Sequence, residues 1–295
     1  MVSPFSTQSG PSWACDAYDW CAPEGITRLQ DLLRDKVPYE LAQRQLIATA
    51  KLLNGQHGMY VWATGDGKSS VFYLYSLVRP TTMTIVVSPT NALEDDMVRR
   101  LKQLDIPAVA INHDSLNKAS SSLPPRDLWA EVRNGAANII LLSPEMLLSK
   151  NFKKFIQCDS VRARLALFCV DECHLVDEWG LDFRKAYGQI SDTIPWLPTW
   201  TTRCGLTATL EPGRQTQAVT RALGFHDGNF FLNRRDCERY NINVVLCPVQ
   251  HAYTTDEFRD LDWIIPPSMK SAADIPKTLI YCETIDLGHR LTAYL

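Results

Sequence analysis

A short glycine-rich segment has the residue types that bind phosphate. It reads Thr64-Gly65-Asp66-Gly67-Lys68-Ser69-Ser70, follows an apolar run and precedes a helical pattern. Glycine permits backbone conformations in which N–H groups converge on an anion, and a helix N-terminus adds favourable partial charge. In such a loop Lys68 would bind the β- and γ-phosphates and Ser69 would bind Mg²⁺. Trp62 stands where the general phosphate-loop pattern has its first glycine, so an ordinary glycine-rich turn with an exposed lysine is the alternative.

Two adjacent carboxylates, Asp171 and Glu172, follow the apolar run 165–170. The carboxyl ends of strands are where ligands bind in open α/β sheets. Asp171 has the oxygen chemistry that Mg²⁺ prefers, and Glu172 has the chemistry to orient or deprotonate an attacking water. An acidic, solvated strand end is the alternative. Because Lys68 precedes the pair in the order expected for a phosphate-hydrolysing site, the combination favours that chemistry.

A glutamine upstream of the loop, Gln45, lies on a helix predicted over 41–54. Its amide both donates and accepts, so it is suited to reading the edge of an adenine base. A surface glutamine on a helix is the alternative, and Gln45 taken alone favours that alternative.

The elements that position these residues alternate between strands and helices. Near-continuous hydrophobicity predicts strands buried on both faces, and the alternation predicts a parallel sheet covered by helices. The predicted strands are 59–63, 83–88, 139–143, 165–170 and 204–207.

Composition changes along the chain predict three parts. Residues 1–24 read as an irregular lead-in, residues 25–238 as the α/β domain and residues 239–295 as a second, incomplete unit. Outside the sheet of the main domain, the predicted elements are a helix over 27–35 with Thr27 as N-cap, a surface loop over 117–125, strands over 243–249 and 278–282, and a helix over 285–295.

The overall composition is that of a globular protein and excludes a disordered or collagen-like chain. The chain has 295 residues, of which 45% are hydrophobic and 21% charged. Its 30 Lys+Arg and 33 Asp+Glu give a net charge of −3, so a nucleic-acid partner would need a local basic groove. The nine cysteines are scattered, and the sequence has neither a secretory signal pattern nor a long apolar run, which predicts an intracellular protein outside the membrane.

The order of these motifs resembles the motor core of superfamily 2 helicases. The matching segments are Gln45, TGDGKS (64–69), SPTNAL (88–93), SPE (143–145), DECH (171–174) and TAT (207–209). More narrowly, DECHLVDEWGLDFRKAY (171–187) resembles the RecQ family, in which a DEAH-type box runs into an aromatic-rich loop. The resemblance covers about residues 26–295.

This resemblance implies a role for each matching residue. Gln45 and the loop 64–70 would bind ATP, Ser69 and Asp171 would hold Mg²⁺, and Lys68, Asp171, Glu172 and His174 would serve hydrolysis. The residues that would contact DNA or couple hydrolysis to movement are Ser88, Pro89, Ser143, Pro144, Glu145, Trp179, Phe183, Arg184, Thr207 and Thr209. From spacing alone, Trp179 and Phe183 could equally form a core pair on a helix.

For the whole chain, the resemblance implies a RecA-like P-loop NTPase domain followed by the start of a second RecA-like lobe. The implied activity is ATP-dependent 3′–5′ DNA unwinding with ATP and Mg²⁺ as cofactors. The implied partner is single-stranded or forked DNA, and the implied location is the nucleus.

Two departures from the RecQ pattern qualify these expectations. Asp66 occupies a position that is usually glycine, so it brings a carboxylate near the phosphates, and Ala42 stands where an arginine is usual. The sequence also ends at Leu295, before the later motifs of the second lobe and their arginine finger. We therefore expect ATP–Mg²⁺ binding, weak DNA binding and poor unwinding unless a partner or downstream sequence supplies the rest of the lobe. The alternatives are a non-motor ATP- and nucleic-acid-binding module without turnover and an RNA-directed ATPase.

Overall fold

The chain divides after Arg239 into two compact units, Met1–Arg239 and Tyr240–Leu295. The computed structural model describes residues 11, 13, 18–178, 185–248, 250, 251, 256–265, 269, 271, 274, 275 and 277–295.

The first unit is built on a seven-stranded parallel sheet. The strands are β1 (His57–Val61), β2 (Met83–Val87), β3 (Ala108–Ile111), β4 (Ile139–Leu142), β5 (Leu165–Val170), β6 (Thr202–Thr207) and β7 (Phe230–Arg234). Their order in the sheet is β3-β4-β2-β5-β6-β1-β7. The predicted α/β class with a parallel sheet is confirmed.

Helices connect the strands and cover the sheet. In the first unit they are α1 (Pro23–Arg34), α2 (Gln43–Leu53), α3 (Ser70–Val78), α4 (Asn91–Gln103), α5 (His113–Ser120), α6 (Leu128–Arg133), α7 (Pro144–Leu147), α8 (Lys150–Ile156), α9 (Asp159–Arg164), α10 (Leu175–Glu178), α11 (Lys185–Gly188) and α12 (Arg214–Ala222). The second unit contains α13 (Ile285–Tyr294). Short 3₁₀ helices occupy Ile190–Asp192, Ile194–Trp196 and Arg259–Ile264.

The central strands are buried on both faces, which explains their continuous hydrophobicity. All residues of β2 and β5 are buried. Side chains alternate across a sheet, so Ile85 and Val87 pack into one apolar cluster while Val86 packs into the other. The two clusters hold helices on both faces, and this leaves the carboxyl ends of the strands as the edge where loops can form a site.

Several predicted boundaries need correction. Helix α1 begins at Pro23 rather than Thr27, because a proline at the first helical position leaves no N–H unsatisfied, and the predicted lead-in 1–24 therefore overlaps it. The predicted loop 117–125 is wrong over its first residues: α5 extends through Ser120, and the side chain of Asn112 caps its start. Strands β3 and β7 were not predicted.

The two strands predicted in the second unit are wrong. None of the described residues between 240 and 295 lies in a strand, and the predicted strand residues Val245, Leu246, Leu279 and Tyr281 are 77%, 92%, 75% and 88% exposed. A strand needs a neighbouring strand and a face to bury, whereas the described residues of these two segments are outside the sheet and largely exposed. The predicted C-terminal helix is confirmed as α13, whose first turn is capped when Leu287 N–H donates to the Thr284 hydroxyl at 3.2 Å.

Within the described part of the chain, no helix combines the length and apolar character needed to cross a membrane.

One histidine at the start of β1 predicts acid sensitivity of the fold. His57 is stacked 5.7 Å from the Phe225 ring, and its Nε2 lies 2.7 Å from the Arg203 guanidinium. Burial, followed by the charge of Arg203, lowers the pKa of His57 from 6.5 to about 4. Because the unfolded state then binds the proton more tightly, stability is present above about pH 6.5 and is lost as the pH falls towards 4.

We therefore expect the free energy of unfolding to fall more steeply in the unmutated chain than in His57→Gln between pH 7 and 4. The excess loss should be about 1–2 kcal/mol, after discounting for the solvent exposure of the ring. Urea unfolding at a series of pH values measures this difference. Parallel pH profiles for the two proteins would contradict the assignment.

Candidate active site

The glycine-rich loop turns directly from β1 into the N-terminus of α3. Gly65 and Gly67 have φ angles of +95° and +79°, a region that favours glycine. The turn is closed when Asp66 N–H donates to the Ala63 carbonyl at 3.1 Å, and Ser70 N–H donates to the Gly67 carbonyl at 3.0 Å. The local backbone is therefore shaped like an anion-binding loop at a helix N-terminus.

Gln45 lies against this loop. It occupies the first turn of α2, is 6% exposed, and its Oε1 accepts the Ala42 N–H at 3.0 Å. Its Nε2 lies so close to Gly67 that any side chain at position 67 would overlap it. Gln45 is thus a buried neighbour of the loop, and the alternative of a surface glutamine is wrong.

Lys68 folds back over the loop. Its Nζ donates to the carbonyls of Trp62 at 3.1 Å and Ala63 at 3.4 Å. These are neutral acceptors, which phosphate oxygens can replace with a stronger, charge-assisted interaction. Thr64 and Gly65 are exposed, whereas Ser69 is half-buried just before α3.

The acidic pair follows β5 at the carboxyl edge of the sheet. Asp171 N–H continues the sheet pairing by donating to the Val87 carbonyl at 2.9 Å, and the Asp171 carboxylate accepts the Glu172 N–H at 3.0 Å. Burial, followed by the charge of Glu172, raises the pKa of Asp171 to about 6. Glu172 has a φ of 46°, an unusual backbone conformation for a residue other than glycine and one that clusters at functional sites.

A cavity of about 520 Å³ contains both motifs. The sequence-predicted residues that line it are Thr64, Gly65, Gly67, Lys68, Ser69, Ser70, Ser88, Asp171 and Glu172. Tyr39 and Tyr73 also line it, with their hydroxyl oxygens 2.5 Å apart, and these two aromatic residues were missed at the sequence level. The sequence signal that could have pointed to Tyr39 is its position as an aromatic residue six places before Gln45.

The cavity residues fit a nucleotide with a bound Mg²⁺ ion. The Ser69 hydroxyl and the Asp171 carboxylate are the oxygen donors that a hard divalent cation prefers. Burial and the neighbouring charge of Glu172 raise the pKa of Asp171, and a bound divalent cation would offset both effects. Lys68 adds a cation on the side of the cavity formed by the loop.

His174 connects the acidic motif to the end of the neighbouring strand β6. Its Nδ1 lies 2.8 Å from the Thr207 hydroxyl and 3.4 Å from a Glu172 carboxylate oxygen. The Thr207 hydroxyl also accepts the Thr209 N–H at 3.2 Å. His174 therefore contacts both Glu172 and the residue that ends β6.

The other sequence-predicted residues lie at nearby strand ends. Ser88 and Pro89 follow β2, Ser143 follows β4, and Pro144 begins α7; all four are buried. Ser88 N–H donates to the Leu142 carbonyl at 3.0 Å, which brings the two segments side by side. Glu145 and Thr209 are exposed. Trp179, Phe183 and Arg184 lie outside the described residues.

A family model for DEAD/DEAH box helicases matches residues 42–218, more than half of the chain. The chain belongs to the DEAD/DEAH box helicases. Within this family the chain is similar to RecQ helicases, as its motif order indicated.

Two RecQ relatives show the extent of the similarity. The ATP-dependent DNA helicase RecQ of Haemophilus influenzae is 28% identical over 211 residues, which cover 70% of this chain and 31% of the bacterial protein. The RecQ-like DNA helicase blm-1 of Caenorhabditis elegans is 31% identical over 225 residues, which cover 72% of this chain and 22% of the worm protein. The chain thus spans less than a third of the length of either relative.

A solved helicase structure shares the fold. The crystal structure of the DUF1998 helicase MrfA matches with a TM-score of 0.53 at 21% identity, over 72% of this chain and 33% of MrfA. This similarity confirms the RecA-like α/β fold of the main unit.

Two arginines beside the loop of this DEAD/DEAH box chain were missed at the sequence level. Arg44 follows Gln43 at the start of α2, and Arg235 follows β7; both contact Asp66. Arg235 is so distant from the loop in sequence that no spacing rule connects them. The sheet brings them together because β7 pairs with β1.

The contact between His174 and Thr207 gives a test of coupling. Thr207→Val removes the hydroxyl that His174 and Thr209 share, so we expect loss of DNA-stimulated ATP turnover with basal turnover retained. Losing a buried hydrogen-bonding group should also lower the free energy of unfolding by about 1–2 kcal/mol. ATP turnover with and without single-stranded DNA measures the first effect.

Thr202→Val is the matched control, because Thr202 is buried on the same strand and its hydroxyl donates to the Leu52 carbonyl at 3.4 Å. It should lose stability but keep DNA stimulation. Equal loss of stimulation in both variants would show a general effect of destabilising β6.

Proposed function

We propose that this chain contains the ATP-binding motor lobe of a RecQ-type DNA helicase, which couples ATP hydrolysis to 3′–5′ unwinding of DNA. The observation that carries the proposal is the single cavity lined by Lys68, Ser69, Asp171 and Glu172. Two motifs that are far apart in sequence meet there at the carboxyl edge of the sheet. The similarity to RecQ helicases supports the same activity.

The division of the chain supports a proposal for its domains. Residues 25–238 form the ATP-binding lobe, and residues 239–295 begin the second RecA-like lobe. The change of unit after Arg239 lies within one residue of this boundary.

The proposed site residues divide the chemistry among them. Gln45 and the loop 64–70 bind ATP, with Lys68 donating to the β- and γ-phosphates. Ser69 and Asp171 hold Mg²⁺, which supplies neutralisation of the phosphate charge when bound. Glu172 orients the attacking water and accepts its proton.

Coupling to DNA follows from the residues at neighbouring strand ends. His174 senses the state of Glu172 and passes it to Thr207 and Thr209. By the RecQ similarity, the residues that contact DNA or couple hydrolysis to movement are Ser88, Pro89, Ser143, Pro144, Glu145, Trp179, Phe183 and Arg184. Single-stranded or forked DNA is the partner, and the nucleus is the proposed location on the basis of the RecQ similarity.

The deciding experiment is ATP turnover by the 295-residue chain alone, with single-stranded DNA, with RNA of the same sequence and with neither. We expect turnover that DNA stimulates more than RNA does. A separate titration of ATP binding establishes whether the site is filled.

Each contrary outcome has a distinct meaning. ATP binding without turnover would contradict the motor assignment and favour a non-motor nucleotide-binding module. Stronger stimulation by RNA would contradict the DNA assignment. Absence of ATP binding would contradict the use of the cavity itself.

A further inference from the structure

Three charged side chains meet on the outer side of the phosphate loop. Asp66, at the tip of the loop, lies between Arg44 of α2 and Arg235, which follows β7. We call these three residues the Asp66 clamp. The side chains of Arg44, Asp66 and Arg235 are 31%, 27% and 47% exposed, so the clamp is partly shielded from water.

Arg44 holds both the backbone and the side chain of Asp66. Its Nε and Nη2 donate to the Asp66 carbonyl at 3.3 and 3.2 Å, and its Nη2 lies 3.6 Å from the carboxylate. Because Arg44 is on the same helix as Gln45, which packs against Gly67, α2 contacts two consecutive residues of the loop.

Arg235 approaches the carboxylate from the other side. Its Nε lies 3.5 Å from the second oxygen of Asp66. The backbone of Arg235 is fixed because its N–H donates to the Val61 carbonyl at 2.9 Å. Trp62 adds a second connection to β7, since its indole N–H donates to the Asn233 side chain at 2.6 Å. The guanidinium is therefore presented from a rigid strand end.

The position of Asp66 in the loop explains why its charge needs to be neutralised. It is flanked by Gly65 and Gly67, whose φ angles of +95° and +79° shape the loop. A carboxylate free to turn inward from this position would repel phosphate oxygens. In the structure, each carboxylate oxygen instead faces a guanidinium group.

We propose that Arg44 and Arg235 are positioning residues for nucleotide binding: they hold the Asp66 carboxylate outside the phosphate loop and neutralise its charge. This inference rests on the proposed binding of ATP at the loop. It implies that the acidic residue at the loop tip is tolerated because the two arginines accompany it. The arginines are therefore needed only while position 66 is acidic.

This dependence separates the clamp from a direct contact between the arginines and the nucleotide. If the arginines act on Asp66, their removal weakens binding in the unmutated loop but has no effect once Asp66 is replaced. If they contact the nucleotide directly, their removal weakens binding in both backgrounds.

The test is calorimetric titration of the full chain with ADP and Mg²⁺. We expect the Arg44→Ala/Arg235→Ala variant to bind ADP about tenfold more weakly, as one partly screened charge interaction would predict. Adding Asp66→Gly to that variant should restore the Kd to within about twofold of the Asp66→Gly single variant. In ATP turnover, the double variant should show a raised KM with little change in kcat.

Arg34→Ala is the matched control, since Arg34 forms an exposed ion pair with Asp31 at 2.6 Å on α1, away from the loop. It should leave the Kd for ADP unchanged. Thermal unfolding of each variant, followed by circular dichroism, verifies that the fold is intact.

Three results would overturn the inference. Unchanged ADP binding in the arginine double variant would show that the clamp is not needed. Weakened binding that Asp66→Gly fails to restore would assign the arginines to the nucleotide or to folding. Lack of ADP and ATP binding by the unmutated chain would remove the proposed function and this inference together, and the other two results leave the proposed function standing.

Discussion

Replacing Lys68 by alanine should reduce ATP turnover by about 10²–10³-fold, the usual effect of removing one preorganised donor from developing charge. Lys68 is the cation of the phosphate loop and lies in the same cavity as the acidic pair. Its two acceptors are neutral carbonyls of the loop, so it can release them when phosphate is present. Steady-state turnover at saturating ATP, with and without single-stranded DNA, measures the loss.

The control for this substitution is Lys118→Ala, which removes an exposed lysine of α5. It should turn over ATP at the unmutated rate. Thermal unfolding should give similar midpoints for the unmutated chain and the Lys68 variant, because Lys68 belongs to neither apolar cluster. Turnover within about threefold of the unmutated rate in Lys68→Ala would exclude the loop as the catalytic phosphate site.

The central fold could be predicted because its sequence signals are strong and local. Strands β2 and β5 are apolar throughout, since both faces of the sheet are covered. The turn into α3 needs glycines with positive φ at Gly65 and Gly67, and glycines at this spacing are visible in the sequence. Where burial and backbone geometry dictate residue type, the sequence carries the information directly.

The edges of the sheet could not be predicted because their burial is incomplete. Strand β3 has four residues, of which the first two are half-buried. Strand β7 has no fully buried residue and includes the polar Asn233. Edge strands of this kind lack both the continuous apolar run and a clear alternation.

In the second unit, strands were predicted where the described residues form none. Segments 243–249 and 278–282 are apolar enough to predict strands, but strand formation depends on partners elsewhere in the chain. Composition reports what a segment can bury and says nothing about whether a neighbouring strand is available.

The residues of the candidate site also differ in whether local sequence could predict them. Residues inside a motif, such as Lys68 and Asp171, could be predicted from local spacing. Arg235 could not, because its place beside Asp66 comes from the pairing of β7 with β1. The sequence predicts that Asp66 brings a carboxylate near the phosphates, and the structure adds two arginines that contact this carboxylate.

The second large effect should come from Glu172→Gln. The substitution keeps the size of the side chain and its hydrogen-bonding reach but removes its ability to accept a proton. We expect kcat to fall about 10²–10⁴-fold, the range for loss of a general base.

Nucleotide affinity should be retained in this variant, because Lys68 and the loop are unchanged. Measuring both kcat and the Kd for ATP therefore distinguishes the role of Glu172 from that of Lys68. Removing the Lys68 side chain is expected to lower kcat and also to weaken ATP binding. Glu24→Gln, at an exposed position of α1, is the control and should keep full turnover. If Glu172→Gln retained substantial turnover, another group would have to activate the water.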